Sequence, residues 1–383
     1  MGHKAGQSFF DTKRSWSKRK DNLLKYYLTP YLRKIATLRA PICLVDAFAG
    51  PGRFRDGSAG SPLILCEAAK QVLGAAGSGR VHVDCVEPDM ELHAQLLGAL
   101  APFPFATAHR QTFLEFLPGL EARAQTESVF LYADPFTVDG LEWAAMDRLF
   151  ALVQAGRSVE VLLNLNSPAF VRRALACMSV EQRDGLDEED ESGPVDGDEG
   201  LATTESELNR IAGGTWWIEI LRTSDSFPAK VEAFTSAYCT QLRTRFKEVC
   251  SYPLKAQPNH RVPKYALVLG SRSSDALVLI NDAMVRSREA FARLAAPAQP
   301  TLFETRPREL IPYAGDADKL VSHHLVGQMA RGLLIRAMIR ASPGVFSESE
   351  LRQAIQRGID GGGILTSTGK KRINDQVLVW RIK

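Results

Sequence analysis

Residues 44–52, Leu-Val-Asp-Ala-Phe-Ala-Gly-Pro-Gly, close an apolar run that stops at an acidic residue and continues into two closely spaced glycines. The apolar run predicts a buried parallel strand. Gly50 and Gly52 would let the backbone turn sharply at the carboxyl end of that strand, which is where open α/β sheets bind ligands. The order differs from the nicotinamide fingerprint Gly-x-Gly-x-x-Gly, because Phe54 and Arg55 stand where the third glycine could fall. An ordinary tight turn between a strand and a helix is the alternative interpretation.

Length and composition favour an intracellular, cytoplasmic protein with more than one module. The chain has 383 residues, 45% of them hydrophobic, and so exceeds the usual size of a single core. Its six cysteines are scattered without a Cys-x-x-Cys pair, which predicts buried reduced thiols rather than a metal site or disulfides. The first residues lack the apolar core of a signal peptide, and no stretch approaches the roughly 18 apolar residues of a membrane span, so we expect no membrane segment.

Charge is segregated along the chain, although the net charge is only +3. Residues 1–40 carry ten basic side chains against two acidic ones, and residues 331–383 carry ten against four. Residues 184–199 contain nine acidic side chains and no basic one, interspersed with Gly and Pro, which predicts a solvated, disordered loop. Two basic ends around a middle with catalytic motifs suggest a polyanionic partner, DNA or RNA. The alternative is that these Lys and Arg residues only solvate helix faces.

Strand-like and helical patterns alternate in the order of a doubly wound α/β sheet. Five apolar runs with helical patterns between them predict parallel strands at residues 42–48, 81–86, 103–108, 129–133 and 159–164. Two further strands are predicted at 249–254 and 265–269, and their short connection favours an antiparallel pair. Such a closing pair distinguishes the seven-stranded class I (Rossmann-like) methyltransferase sheet from that of a nucleotide-binding dehydrogenase.

The strand ends supply candidate ligands for S-adenosylmethionine, because the Asp-x-Phe-x-Gly-x-Gly order is that of methyltransferases that bind this cofactor. Glu87, at the tip of the second strand, is placed to accept hydrogen bonds from a ribose diol. Thr112 stands where an adenine-reading Asp is often found. The predicted cofactor-binding residues are Asp46, Phe48, Gly50, Gly52, Glu87 and Thr112.

A helix is predicted to follow the glycine turn, with Ser61 as its N-cap and Pro62 at its first helical position. The free amide groups at its start, together with Arg53 and Arg55, would hold an anion. That anion would be the methionine carboxylate of the cofactor or a phosphate of the substrate.

The fourth strand ends in Asp134-Pro135-Phe136, which we predict to be the catalytic segment. Methyl transfer to an exocyclic amine needs an acceptor for the amino protons and a surface that holds the base flat. Asp134 would supply the acceptor, Pro135 would direct the backbone carbonyl, and Phe136 would stack on a flipped or single-stranded base. Amino-group methyltransferases carry Asp-Pro-Pro-Tyr or Asn-Pro-Pro-Tyr here, so Asp-Pro-Phe-Thr leaves the substrate class open. Asn164 and Asn166 either line the same crevice or are polar turn residues.

Several of these segments together resemble the three-Cys-motif partner proteins. The resemblance is carried by Phe9-Phe10-Asp11, Lys13 to Ser17, the helical residues Lys20, Leu24, Tyr27, Leu28 and Tyr31, the turn Asp46 to Gly52, Gly60-Ser61-Pro62-Leu63, and Asp134-Pro135-Phe136. It is specific over the amino-terminal half and looser beyond it. The resemblance implies a bacterial or phage-related protein similar to DNA methyltransferases. It also implies an adjacent-gene partner with three clustered cysteines that is thought to bind an iron–sulfur cluster.

The carboxyl-terminal region has the pattern of a winged helix. Helical spacing over 325–339 is followed by a Ser-x-x-Glu capping signal at Ser347, three glycines, and two short β runs at 364–366 and 377–382. The β runs flank Lys370-Lys371-Arg372, which we predict to contact nucleic acid. A protein-docking wing of the same shape is the alternative.

The sequence therefore predicts three parts: a basic amino-terminal arm and helix (1–40), a methyltransferase-like α/β domain with the acidic loop (41–300), and a winged-helix-like domain (318–383). The predicted function is S-adenosylmethionine-dependent methylation of nucleic acid, at a base amino group, together with the three-Cys-motif protein. Two alternatives are open: a catalytically silent protein that uses this fold to bind nucleic acid or to recruit its partner, and a small-molecule methyltransferase.

Overall fold

The computed structural model describes residues 15–74, 80–178, 204–223, 225–256, 260–295 and 314–381. The first fourteen residues, which carry Lys4, Lys13 and Arg14 of the basic arm, and the acidic segment 184–199 lie outside the described residues. The chain divides into two compact units, Met1–Arg272 and Ser273–Lys383. Each unit is built around its own sheet.

The first unit alternates strands and helices. Its helices are α1 (Ser15–Ile35), α2 (Ser61–Leu73), α3 (Met90–Leu100), α4 (Phe113–Arg123), α5 (Trp143–Gln154), α6 (Ser167–Cys177), α7 (Glu205–Ala212), α8 (Trp216–Leu221) and α9 (Phe227–Leu242). Its strands are β1 (Ile42–Asp46), β2 (Val81–Val86), β3 (Ala106–His109), β4 (Ser128–Ala133), β5 (Val159–Leu165), β6 (Glu248–Leu254) and β7 (Tyr265–Ser271). Short 3₁₀ turns occupy Ala36–Leu38 and Val138–Leu141.

The seven strands form one sheet in the order β3-β2-β1-β4-β5-β7-β6. The first five strands are parallel, whereas β7 is antiparallel to both β5 and β6. This agrees with the prediction of a Rossmann-like α/β sheet closed by an antiparallel pair. The strand order reverses between β1 and β4, so a crevice forms at the carboxyl ends of these two strands, where such sheets bind ligands.

Three of the element boundaries that differ from the sequence prediction lie beside the strand ends. β1 ends at Asp46, because the chain already turns at the following residues. β3 starts at Ala106 instead of residue 103, since the segment before it forms a turn in which the Ala106 amide donates to the Phe103 carbonyl at 3.0 Å. α2 begins at Ser61 with Gly60 as its N-cap, so Ser61 is not the cap; Pro62 lies in the first turn, where its missing N–H costs nothing.

α1 covers one face of the sheet, and this explains its tyrosines. Tyr27 is fully buried and Tyr31 nearly so, with both rings beside Phe130 of β4. The Tyr27 hydroxyl donates to Glu160 of β5, which also accepts a hydrogen bond from Ser271 of β7 at 2.5 Å. These tyrosines therefore pack on the sheet.

The opposite face of the sheet carries the main apolar core. It is formed by alternate residues of β1, β4 and β5, such as Val45, Leu131 and Val161, with helices α4 to α9 packed over them. Aromatic side chains fill much of this volume; Phe170 and Phe234, for example, stack with ring centroids 4.1 Å apart. Because packed side chains cover both faces of the sheet, the polar side chains gather at the strand ends.

The second unit combines helices with a small sheet. It contains α10 (Ser274–Ala295), α11 (Ala314–His324), β8 (Met329–Ala330), α12 (Arg331–Ala341), α13 (Glu348–Asp360), β9 (Ile364–Thr366) and β10 (Leu378–Arg381). The strands pair antiparallel in the order β8-β10-β9. α10, which the sequence-based boundary at 300 assigned to the preceding domain, is tied to this unit instead, because Asn281 donates to the Phe346 carbonyl at 2.8 Å and Arg288 to that of Gly344 at 2.7 Å.

All six cysteines are free thiols. Five are buried, as predicted, and Cys177 at the end of α6 is exposed. Among the residues that the structure describes, no helix is long and apolar enough to cross a membrane.

Candidate functional site

A cleft opens at the carboxyl edge of the large sheet, where the glycine turn after β1 faces the segment after β4. Its volume is about 790 Å³ when the space that is open to solvent is included. Its walls come from α1, the glycine turn, the start of α2, the Asp134 segment and the beginning of β7. The lining residues are Ser17, Lys20, Asp21, Phe48, Ala49, Gly50, Pro51, Gly52, Arg53, Phe54, Gly60, Ser61, Asp134, Pro135, Phe136, Lys264 and Tyr265.

The turn after β1 depends on glycine. Gly50 and Gly52 have φ angles of 59° and 74°, in the left-handed region that favours glycine. A Cβ atom on Gly52 would also lie 3.0 Å from the Leu96 side chain of α3. The Gly60 amide donates to the Gly52 carbonyl at 2.9 Å, so the turn is joined to the start of α2. The backbone of this turn forms a cradle against which a ligand could lie closely.

Asp46 ends β1 and is completely buried under the turn. Its Oδ1 atom accepts a hydrogen bond from the Phe48 amide at 3.2 Å, whereas its buried Oδ2 atom has no hydrogen bond of good geometry in the described part of the chain, although the Ser61 side chain lies near enough to influence the carboxylate. Burial raises the pKa of Asp46 to about 7, although the Ser61 side chain and the Phe48 amide favour the charged form. A buried carboxylate with an unsatisfied oxygen is costly unless a cationic or hydrogen-bonding group joins it.

Glu87 lies at the end of β2, but its carboxylate faces the glycine turn and does not line the cleft. Its Oε2 atom accepts from the Gly50 amide at 2.9 Å and its Oε1 atom from the Asp89 amide at 2.8 Å. Burial raises the pKa of this carboxyl group, and the two amides partly offset that rise. In the structure Glu87 fixes the glycine turn against β2.

Asp134 is held by three side chains at the cleft. Its Oδ2 atom lies 2.5 Å from the Lys20 ammonium and 3.4 Å from the Tyr132 hydroxyl, and its Oδ1 atom accepts from the Asn164 amide at 2.5 Å. The Lys20 ammonium also lies 4.8 Å from the centre of the Tyr265 ring. Asp134 is the residue predicted from the sequence, and Asn164, for which either a crevice position or a turn position was expected, contacts it. No sequence pattern assigned Lys20 to the site.

Aromatic rings line the same cleft as Asp134. Phe136 is 38% exposed there, and Phe48 packs with Phe113 at a centroid distance of 5.7 Å. Gly140 permits this packing, because a Cβ atom at that position would lie 2.5 Å from Pro135 and 2.7 Å from the Phe48 ring. The combination of ring faces with charged side chains suits a flat, polar ligand.

Of the remaining predicted site residues, Arg53 lines the cleft, whereas Thr112, Arg55 and the basic residues of the second unit do not. Thr112 is exposed and caps α4: its hydroxyl and the Glu115 carboxylate form a reciprocal capping box. Arg53 lines the cleft and donates to the Gly57 carbonyl at 2.8 Å, whereas Arg55 is exposed and does not line it. Lys370, Lys371 and Arg372 belong to the second unit, where all three are exposed.

The sheet and its crevice define a Rossmann-like α/β protein with the strand arrangement of class I methyltransferases. No protein-family model matches the chain, and no curated protein matches it. Several solved structures do match the chain. One is a candidate caffeoyl-CoA O-methyltransferase from Staphylococcus aureus, with 8% identity and a TM-score of 0.27, covering 63% of this chain and 82% of that one.

Two further solved structures are similar at the same distance. The plantazolicin methyltransferase BpumL, in complex with SAH, has 11% identity and a TM-score of 0.27, and the match covers 69% of this chain and 88% of that one. A candidate exported protein from Bordetella parapertussis has 10% identity and a TM-score of 0.26, covering 64% of this chain and 66% of that one.

Proposed function

We propose that this protein is an S-adenosylmethionine-dependent methyltransferase whose methyl acceptor is nucleic acid. The observation that carries the proposal is the unsatisfied Oδ2 atom of Asp46, buried directly beneath a glycine cradle at the switch point of the sheet. A cofactor that brings both a cation and a hydrogen-bonding ribose is a suitable complement to that arrangement.

The residues present fit this cofactor. Gly50, Gly52 and Gly60 line the cleft and carry no side chain, so this part of the wall is backbone. Asp46, which is buried behind that wall and does not itself line the cleft, would supply the counter-charge for an ammonium group. The cofactor supplies an electrophilic methyl group when bound. The protein's own contribution is to fix the turn, through the Gly50 amide and Glu87, before the ligand arrives.

Asp134 and Phe136 would orient the acceptor. The Asp134 carboxylate, held by the Lys20 and Asn164 side chains, presents a fixed negative charge that can accept a hydrogen bond from an amino group. The exposed ring of Phe136 would stack on the acceptor base. A base amino group as acceptor is therefore part of the proposal, as is action together with a three-Cys-motif iron–sulfur protein, which rests on the family resemblance alone.

We also propose that the second unit is a winged-helix module. Its elements follow one another as helix, strand, helix, helix, strand and strand from α11 to β10, and the middle strand of its sheet is the last one in sequence.

The first unit supplies a basic surface for a polyanion on α1. This surface consists of the exposed residues Lys18, Lys25, Arg33 and Lys34.

Isothermal titration calorimetry with S-adenosylmethionine tests the cofactor proposal. The wild-type chain should bind it, and Asp46→Asn, which keeps the side-chain volume, should weaken binding by about tenfold or more. Asp147→Asn is a matched control, because Asp147 forms an ion pair with Arg245 and does not line the cleft. Absence of binding to the wild-type chain would contradict the cofactor proposal.

A catalytically silent binding protein is the second candidate, and one observation favours it. Both carboxylate oxygens of Asp134 are already engaged by Lys20, Tyr132 and Asn164, which leaves less capacity for an incoming amine. Methyl transfer from labelled cofactor to total DNA and RNA separates the two: incorporation lost in Asp134→Ala supports the enzyme, whereas cofactor binding without incorporation supports the silent protein.

A further inference from the structure

The small sheet of the second unit turns an apolar face to solvent. Side chains alternate between the two faces of a strand, so the register assigns Leu365, Leu378, Trp380 and Ala330 to one face. Val379, fully buried, belongs to the other face, which is the inner one. On the first face, Leu365 is 43% exposed and Leu378 is 38% exposed. We call the four residues of the first face the outer sheet face.

A cationic loop continues from this face. Lys370, Lys371 and Arg372, between β9 and β10, are exposed, and no ion pair joins them to an acidic group within the described residues. Their backbone is fixed: Gln356 of α13 donates to the Lys371 carbonyl at 3.1 Å, and the Thr366 hydroxyl donates to that of Lys370 at 3.0 Å. The three positive side chains thus project from a loop whose position is set by the fold.

In a winged-helix module, α13 would be the helix that reads DNA. Unlike the cationic loop, α13 has no excess of positive charge. α13 carries three acidic side chains against Arg352 and Arg357. Arg352 pairs with Glu348 and Asp375 at 2.6 and 2.5 Å, and Arg357 pairs with Asp318 at 2.7 Å. Both arginines are therefore neutralised within the unit, which leaves little net positive charge for a phosphate backbone.

From these observations we infer that the outer sheet face, with its cationic loop, is a docking surface for another protein that presents an acidic amphipathic helix. Apolar side chains of that helix would cover Leu365, Leu378 and Trp380, and its acidic residues would pair with Lys370, Lys371 and Arg372. Charge complementarity selects an acidic partner, while the apolar face favours a polypeptide over a polyanion, whose phosphates would leave the leucines in water.

The test uses the full chain and three probes: a synthetic Leu/Glu amphipathic helix of about 18 residues, its Leu/Lys counterpart, and a DNA duplex of about 20 base pairs. Fluorescence anisotropy gives the affinities, and hydrogen exchange of the β9 and β10 amides locates the site. The acidic helix should bind about tenfold more tightly than the basic one and should slow exchange in both strands.

Variants identify the face. Leu365→Ser combined with Leu378→Ser should weaken binding of the acidic helix by about tenfold or more, and Lys371→Glu should weaken it most at low salt. Leu97→Ser, an exposed leucine of α3, and Lys319→Glu are the matched controls that should leave affinity unchanged. Circular dichroism checks that each variant folds.

Three results would overturn the inference. The first is that the acidic and basic helices bind with equal affinity, or that neither helix binds. The second is duplex binding that is weakened by the two serine substitutions, since the face would then serve nucleic acid. The third is self-association of the wild-type chain that the same substitutions abolish, because the occupant would then be a second copy.

Discussion

The Lys20 ammonium lies 2.5 Å from the Asp134 carboxylate, so the amino-terminal helix meets the end of the fourth strand at the cleft. Only 6% of the Lys20 side chain and 22% of the Asp134 side chain are exposed. An ion pair with so little water around it is weakly screened, and removal of one partner leaves the other charge poorly compensated. This pair therefore links the position of α1 to the geometry of the site.

Lys20→Met should destabilise the protein by about 2 kcal/mol, because Asp134 loses its cationic partner. Lys20→Arg should restore much of that loss, since the guanidinium can donate to the same carboxylate. Urea unfolding measures both changes. Lys25→Met, at an exposed position of the same helix, should change the free energy of unfolding by less than about 0.5 kcal/mol. An equal effect of the two methionine variants would show that the ion pair contributes nothing.

Gly140→Ala should lower both stability and cofactor affinity. The added Cβ atom would lie 2.5 Å from Pro135 and 2.7 Å from Phe48, so the segment carrying Asp134 has to shift, at a cost of about 1–3 kcal/mol. Gly119→Ala is the control: nothing lies within 4 Å of its Cβ, and alanine favours the α4 helix. Thermal unfolding and calorimetry with the cofactor would measure the two effects; a Gly140→Ala variant as stable as the wild type would contradict the close packing.

Features set by neighbouring residues were accessible from the sequence, and features set by distant contacts were not. The apolar run, Asp46 and the two glycines lie within one short stretch, so their strand-and-turn arrangement follows from local patterns. Lys20 reaches Asp134 across 114 residues of sequence, and only the packing of α1 on the sheet brings the two together. No spacing rule within α1 indicates which of its many basic residues turns inward.

Thr112 and Glu87 illustrate a different limit. The Thr-x-x-Glu order at Thr112 is a capping-box signal that the sequence already contained, and the structure has that box. Glu87 lies at the predicted strand end, yet the direction of its carboxylate depends on the Gly50 amide, which no one-dimensional pattern specifies. Whether either residue also contacts a cofactor is still a prediction.

Tyr27→Phe should destabilise the protein by about 1–2 kcal/mol, because the buried Glu160 carboxyl group loses one of its two hydrogen-bond donors. Tyr26→Phe is the matched control, since Tyr26 is only half-buried and makes no hydrogen bond to Glu160. Chemical denaturation compares the two variants. If the Tyr27→Phe and Tyr26→Phe variants have the same free energy of unfolding, Ser271 alone satisfies the Glu160 carboxyl group.

Asp46 and Glu160 should each make a contribution to stability that is lost as pH rises from about 4 to about 7. Burial raises the pKa of Asp46 and of Glu160 to about 7, above the values near 4 of an unfolded chain. In that window the folded state retains protons that the unfolded state has lost, so each step in pH favours unfolding. In urea unfolding across this window, the Asp46→Asn and Glu160→Gln variants should each lose less stability with rising pH than the wild-type chain does.

Cofactor binding should have the opposite pH dependence. Asp46 can hold a cation only when it is ionised, so affinity for S-adenosylmethionine should increase as pH rises through about 7. Calorimetry at about pH 5.5 and about pH 7, where an amino group of ordinary pKa stays largely protonated, measures the change, which should be absent in Asp46→Asn and retained in Glu160→Gln. Glu160 is a suitable control because it is also buried but lies against α1, with Tyr27 and Ser271 as its partners. A pH dependence that persists in Asp46→Asn would assign the titrating group elsewhere and remove the main support for cofactor binding at Asp46.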